Sequence, residues 1–336
     1  MTARSGIITG KIPSILSPRP LGHILRLLVA IVLTAYVLTR ANPAAVLGVL
    51  GRTDLRWIGV TLLLVVADRA LMAYRWILLL CPIDRAQRPR LPALLRVFFT
   101  STFAGTFLPA SVGGDIVRAY GLSQLRVASG PAVASVLMDR FLGVVSILIV
   151  GAVGLSLAGE GDLASRRLVV LSLAGTTLLA MAAGSIVFSE RAAALAESMM
   201  RMVPIERLRR IGTDLTRATR AYGRYHRELF LVLAGSVGVQ LLRIAQAYCL
   251  GRALFIAAPF GTYLTFIPLI LLIMLLPFTV NGIGTSQAGF VWFFGRAGVG
   301  QADAFALSVL FVALGIVGNL PGGLLYALSP PRKTPP

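Results

Sequence analysis

Three aspartates and five arginines stand inside stretches that are otherwise apolar: Asp68 with Arg69 and Arg75, Asp115 with Arg118, Asp139 with Arg140, and Arg243 between Gln240 and Gln246. An ionised side chain at membrane depth is costly enough that it pairs or lines a polar pathway. Asp115 and Arg118 are three residues apart and share one face if the segment after Gly114 is helical. Gln240, Arg243 and Gln246, at i, i+3 and i+6, form one polar stripe on an apolar helix. Any single pair is equally well a buried salt bridge that fixes helix packing. Taken together, five arginines against three aspartates leave a positive interior that an anionic group would neutralise.

The elements that must position these charges are read from composition. The chain has 336 residues, 57% hydrophobic and only 13% charged, with a mean hydropathy of +0.83. A soluble domain carries roughly 25% charged residues, so this is the composition of a polytopic membrane protein. The 32 basic and 13 acidic residues give a formal charge of +19. The arginines beside apolar runs read as cytoplasmic loops facing anionic headgroups, so no nucleic-acid partner is expected. Cys81 and Cys249 have no CxxC spacing, and His23 and His226 lie far apart, so neither a disulfide framework, a metal site nor a cofactor is expected.

A helix needs about 20 apolar residues to cross the hydrocarbon. Spans are expected at 24–38, 57–80, 132–158, 168–188, 229–250 and 304–328, about six in all, the first a retained signal anchor. Two further apolar stretches run into Pro and Gly clusters at membrane depth. Residues 108–115 read LPASVGGD and 276–283 read LPFTVNGI, with Leu108, Pro109, Val112 and Gly114 matched by Leu276, Pro277, Val280 and Gly282. Ser111 and Thr279 both carry hydroxyls, and the offset is 168 residues, half the chain. Basic segments belong inside. With the termini, the segment 82–90 and the segment 189–228 all cytoplasmic, the first cluster enters from inside and the second from outside. The expectation is therefore an all-α fold with two re-entrant hairpins of opposite orientation, 91–117 and 263–296, in an inverted repeat of 57–158 and 229–328. The segment 189–228 holds nine Arg against five acidic residues. Its apolar positions Leu208, Ile211, Leu215, Ala218, Tyr222 and Tyr225 suit an amphipathic helix on an anionic membrane surface, or equally a plain linker between spans.

Three passages, FLPASVGGDIVRAYGL, AVASVLMDRFLGV and LLPFTVNGIGTSQAGFV, with the Gly-rich final GNLPGGLLYAL, resemble the integral-membrane region of the lysylphosphatidylglycerol synthases, the multiple peptide resistance factors, and their stand-alone relatives. The resemblance covers most of the chain from about Trp57 onward. It implies a flippase of the bacterial inner membrane that moves a phospholipid or lipid-linked headgroup between leaflets. The family often carries Arg-Glu just after NGIG-x, where this chain has Ser286 and Gln287. There is no G-x-x-x-x-G-K-[ST] for a nucleotide and no G-x-S-x-G nucleophile elbow.

On this reading Arg118 and Arg140 hold the headgroup phosphate, with Arg75, Arg243, Gln240 and Ser111 nearby. Backbone N–H groups come from the turns at Gly113-Gly114 and Asn281-Gly282. Asp115 and Asp139 hold the arginines when the site is empty, or carry a coupling proton. The partners are the lipid substrate and the membrane. Two alternatives stay open: a lipid-modifying membrane enzyme with Asp115 or Asp139 as base, and a non-transporting subunit of a separate lipid-synthesis enzyme.

Overall fold

The computed structural model describes residues 48–83, 88–108, 112–157, 206–275 and 283–327, with scattered positions between 170 and 198. Every regular element among the described residues is a helix. Three long ones are apolar enough to cross a membrane: α1 (Leu55–Leu78), α4 (Ser129–Leu157) and α6 (His226–Ala253). A fourth span, Gln301–Ala327, consists of α9 (Gln301–Val317) and α10 (Leu320–Ala327). The chain is thus an all-helical multi-pass membrane protein, and these four match the spans expected at 57–80, 132–158, 229–250 and 304–328. The expected span 24–38 lies outside the described residues, as does most of 168–188.

Shorter helices come in two pairs, α2 (Leu91–Phe107) with α3 (Val112–Gln124), and α7 (Phe260–Met274) with α8 (Thr285–Arg296). At about 1.5 Å per residue none reaches the roughly 30 Å of a bilayer core. Local chemistry sets their ends. Pro109 forces its predecessor out of the α region, and Leu108 is extended at φ −84°, ψ 145°. Gly284, at φ 89°, adopts the left-handed backbone that starts α8. Gln287 then folds back so that its Oε1 accepts from the Gly284 N–H at 2.5 Å and from the Ser286 hydroxyl at 3.0 Å. Ser286 and Gln287 are both buried, Gln287 capping its own helix and Ser286 donating to the capping oxygen.

Contacts show how the pairs are arranged. In the first, Val97 faces Gly121 and Gly105 faces Gly114, so α2 and α3 run antiparallel in close contact. In the second, Phe266 lies 5.4 Å from Phe293 and Tyr263 lies 5.0 Å from Phe294, again antiparallel. The open end of the first pair packs with the last turn of α1 and the start of α4 in a cluster of Trp76, Leu80, Leu94, Phe98, Leu122 and Ala132. The open end of the second packs at the other end of α4 and α6, where Gly154 abuts Leu264 and Gly251 abuts Tyr263. Antiparallel α1 and α6 tie the two ends together, through the Asp54 N–H on the Ala253 carbonyl (3.0 Å) and the Tyr222 hydroxyl on the Leu79 carbonyl (2.5 Å).

The basic segment contains α5 (Glu206–Arg220) and a 3-10 turn at Ala221–Arg224. Leu215, Ala218 and Tyr222 from its apolar stripe pack into a cluster with Leu79, Met138, Leu142 and Val232. Protein, rather than lipid, covers that part of the stripe. Arg217, Arg220, Arg224 and Arg227 remain exposed.

Candidate functional site

Between the inner ends of the two short-helix pairs lies a cavity of about 280 Å³. From the first pair it takes Ser101, Thr102, Gly105, Thr106, Gly114, Asp115 and Arg118, and from the second Leu271, Met274 and Leu275. The long helices add Asp68 and Arg69 (α1), Arg140 (α4), Arg243 and Gln246 (α6) and Gly315 (α9), with Asn319 from the break before α10. Four arginines and two aspartates thus face one small space.

Around Asp115 and Asp139 the charges are paired across helices rather than along them. Asp115 and Arg118 share a helix at the expected spacing, yet each finds its partner on α4. Arg140 Nε lies 2.7 Å from Asp115 Oδ2, and Arg118 Nη1 lies 3.1 Å from Asp139 Oδ2. Asp139 also has Arg75 Nη2 at 2.8 Å from its Oδ1, a close ion pair in which no N–H is aligned for a hydrogen bond. Arg75 donates its other arm to the Ser236 hydroxyl at 2.7 Å. Arg118 is further fixed by Ser101 Oγ at 3.3 Å and by the faces of Trp76 and Phe98, 5.3 and 4.9 Å from its guanidinium carbon.

A second cluster is formed between α1 and α6. Asp68 lies between Arg69 Nη1 at 3.0 Å and Arg243 Nε at 3.5 Å. Arg69 reaches on to the Gly315 carbonyl at 3.1 Å. The side chains of Arg118 and Arg75 are 7% exposed, whereas those of Arg140 and Arg243 are 40% and 25% exposed. The latter two are the guanidiniums that an incoming anion reaches with least rearrangement.

Of the residues expected from sequence, Arg118, Arg140, Arg243, Asp115 and Gly114 line the cavity. Arg75 and Asp139 stand behind Arg118 as its support. Gln240 is engaged elsewhere, donating to Ser146 Oγ at 3.1 Å, and Gly113 faces Leu108 rather than the cavity. Ser111, Asn281 and Gly282 lie outside the described residues. Arg69, Gln246, Thr102, Thr106 and Asn319 are additional lining residues. Arg69 and Gln246 carried a signal, being polar side chains inside apolar runs. Asn319 lies in the GNLPGG passage, where Gly and Pro mask its depth. Among the described residues, no three His, Cys, Asp or Glu side chains converge as metal ligands.

The chain matches the family model described as the lysylphosphatidylglycerol synthase TM region over residues 23–322, and it belongs to that family. No curated protein and no solved structure matches it.

Proposed function

We propose that this member of the lysylphosphatidylglycerol synthase transmembrane family carries an anionic phospholipid or lipid-linked headgroup between the leaflets of the bacterial inner membrane. The observation that supports it most is the cavity with four arginines and two aspartates, enclosed by apolar helices. Its volume of about 280 Å³ is at the lower edge of the roughly 300–1,000 Å³ of small-molecule sites. That is room for a headgroup, while acyl chains stay in lipid.

In this mechanism α2–α3 and α7–α8 are re-entrant hairpins that enter from opposite faces, the two halves of an inverted repeat, with both termini cytoplasmic. The cavity between them lies at mid-membrane, where irregular backbone is tolerated only against protein or a polar cavity. Arg140 and Arg243 receive the phosphate in charge-assisted, two-pronged contacts. Arg118, held by Asp139 and two aromatic rings, supplies a fixed positive field. Asp115 and Asp68 keep Arg140 and Arg243 in place between cycles. Small movements of one hairpin against the other would open the cavity to each leaflet in turn.

The test is purified protein in liposomes carrying labelled phosphatidylglycerol in one leaflet. Appearance of the unaltered lipid in the other leaflet supports transport. A chemically changed lipid would point to an enzyme, and neither outcome to a non-transporting subunit.

A further inference from the structure

Resting on the reading of the cavity as a headgroup site, we propose that Arg75, which does not line the cavity, sets the positive charge that the cavity offers to a phosphate. By sharing Asp139 with Arg118, it keeps that carboxylate from neutralising Arg118. Arg75 is then a positioning residue that acts through Asp139, not a ligand of the headgroup. The first observation is its place. Of the three, only Arg118 lines the cavity. Asp139 meets Arg118 Nη1 with its Oδ2 at 3.1 Å and Arg75 Nη2 with its Oδ1 at 2.8 Å. All three side chains are 7% exposed, so salt screens them little. Other groups fix the far side of Arg75. Its Nη1 donates to Ser236 Oγ of α6 at 2.7 Å, and that hydroxyl donates to the Val232 carbonyl at 2.7 Å. Gly143 of α4 lies against the other arm, where a Cβ would stand 3.7 Å from Nη2. Arg75 thus occupies one oxygen of Asp139 and leaves Arg118 the other, in place of the two-pronged pair that a guanidinium and a carboxylate form alone.

The second observation is the charge balance. Asp115 is matched by Arg140, whereas Asp139 stands against Arg75 and Arg118, and Asp68 against Arg69 and Arg243. Five arginines against three aspartates leave an excess of two positive charges, one at each shared carboxylate. For the fold alone a one-to-one pair would be the cheaper arrangement, because a buried charge without its own partner is destabilising. Without Arg75, Asp139 and Arg118 would form a neutral pair and the excess would fall to one. The second guanidinium therefore makes sense as a source of field at the cavity, where fixed charge attracts an anion.

The experiment is a phosphatidylglycerol titration of the purified full chain, with melting curves on the same samples. Arg75→Gln should weaken binding roughly ten-fold, the effect of one poorly screened charge at short range. Arg75→Lys, which keeps the charge, should stay within about three-fold of wild type. The double variant Arg75→Gln, Asp139→Asn removes one charge of each sign and so restores the excess. It should bind within about three-fold of wild type even though it melts lower, a recovery that a purely structural role for Arg75 would not produce. Wild-type affinity in Arg75→Gln, or Arg75→Lys binding as weakly as Arg75→Gln, would overturn the proposal while leaving the headgroup site standing. So would a folded double variant that binds no better than Arg75→Gln. If the double variant does not fold, the comparison of lysine with glutamine decides alone. Failure of the wild type to bind phosphatidylglycerol would remove the headgroup site itself, and the proposal with it.

Discussion

Asp139 lies between two buried guanidiniums, Arg75 and Arg118, and both depend on it for charge compensation. Removing one partner of such a group leaves the others uncompensated at a cost of roughly 3–5 kcal/mol. Asp139→Asn should therefore lower the melting temperature in detergent sharply. Arg140→Gln should cost less, because its own side chain is 40% exposed. Its stability should fall less than that of Asp139→Asn, while binding of phosphatidylglycerol weakens roughly ten- to a hundred-fold. A melting curve and a lipid titration on the same two variants check both. Cys81, just beyond α1, has its thiol pushed up to about 11, chiefly by burial and then by the charge of Glu228. The thiolate is the reactive form, so alkylation of the folded protein near pH 8 should be slow and should accelerate as pH rises toward that value. The charged residues were legible in the sequence because ionised groups inside apolar runs are rare. Their partners were not. Asp115 and Arg118 have the spacing of a pair, but the rotation of α3 against α4 decides whom each meets, and that rotation is a property of packing.

The break in the first helix pair was legible in Pro109 and the glycines after it, and the antiparallel return of α3 follows from two glycines meeting at the crossing. A Cβ on Gly114 would stand 2.9 Å from the Ser101 carbonyl and 3.1 Å from the Gly105 Cα, both backbone atoms that cannot step aside. Close approach of small residues is what holds helices together in lipid. Gly114→Leu should separate α2 from α3, costing about 1–3 kcal/mol or more, with lost thermal stability and lost lipid binding together. Gly295→Ala, where a Cβ meets nothing within 4 Å, should leave both unchanged. Less of the second pair could be read. Ser286 and Gln287 look like the loss of a charged pair, yet Gln287 is occupied in capping α8. The apolar stripe of α5 suits a membrane surface by its spacing. Only the position of the helix beneath α4 shows that Leu215 and Ala218 are covered by protein.

For the molecule as a whole, the offset between the two Pro and Gly clusters and the charge of the loops led to hairpins entering from opposite faces. The helix pairs do open at opposite ends of α4 and α6. Sequence could not place Asn319 or Thr106 at the cavity, because they come from elements more than half the chain apart that meet only through the packing of α10 on α2. If the membrane lies across the four long helices, cysteines at Arg90 and Gly261, in a chain with Cys81 and Cys249 replaced, should react with an impermeant thiol reagent from opposite sides. Labelling of both from one side would rule out the opposed hairpins. The central claim is that the arginines facing the cavity carry an anionic headgroup across, and it is tested most directly by the rate at which labelled phosphatidylglycerol changes leaflet in proteoliposomes. Wild type should be compared with the double variant Arg140→Gln, Arg243→Gln, with folding verified by melting. The account predicts that the double variant slows movement roughly a hundred-fold, the loss of two charge-assisted contacts. A folded double variant that moves the lipid at the wild-type rate would contradict it.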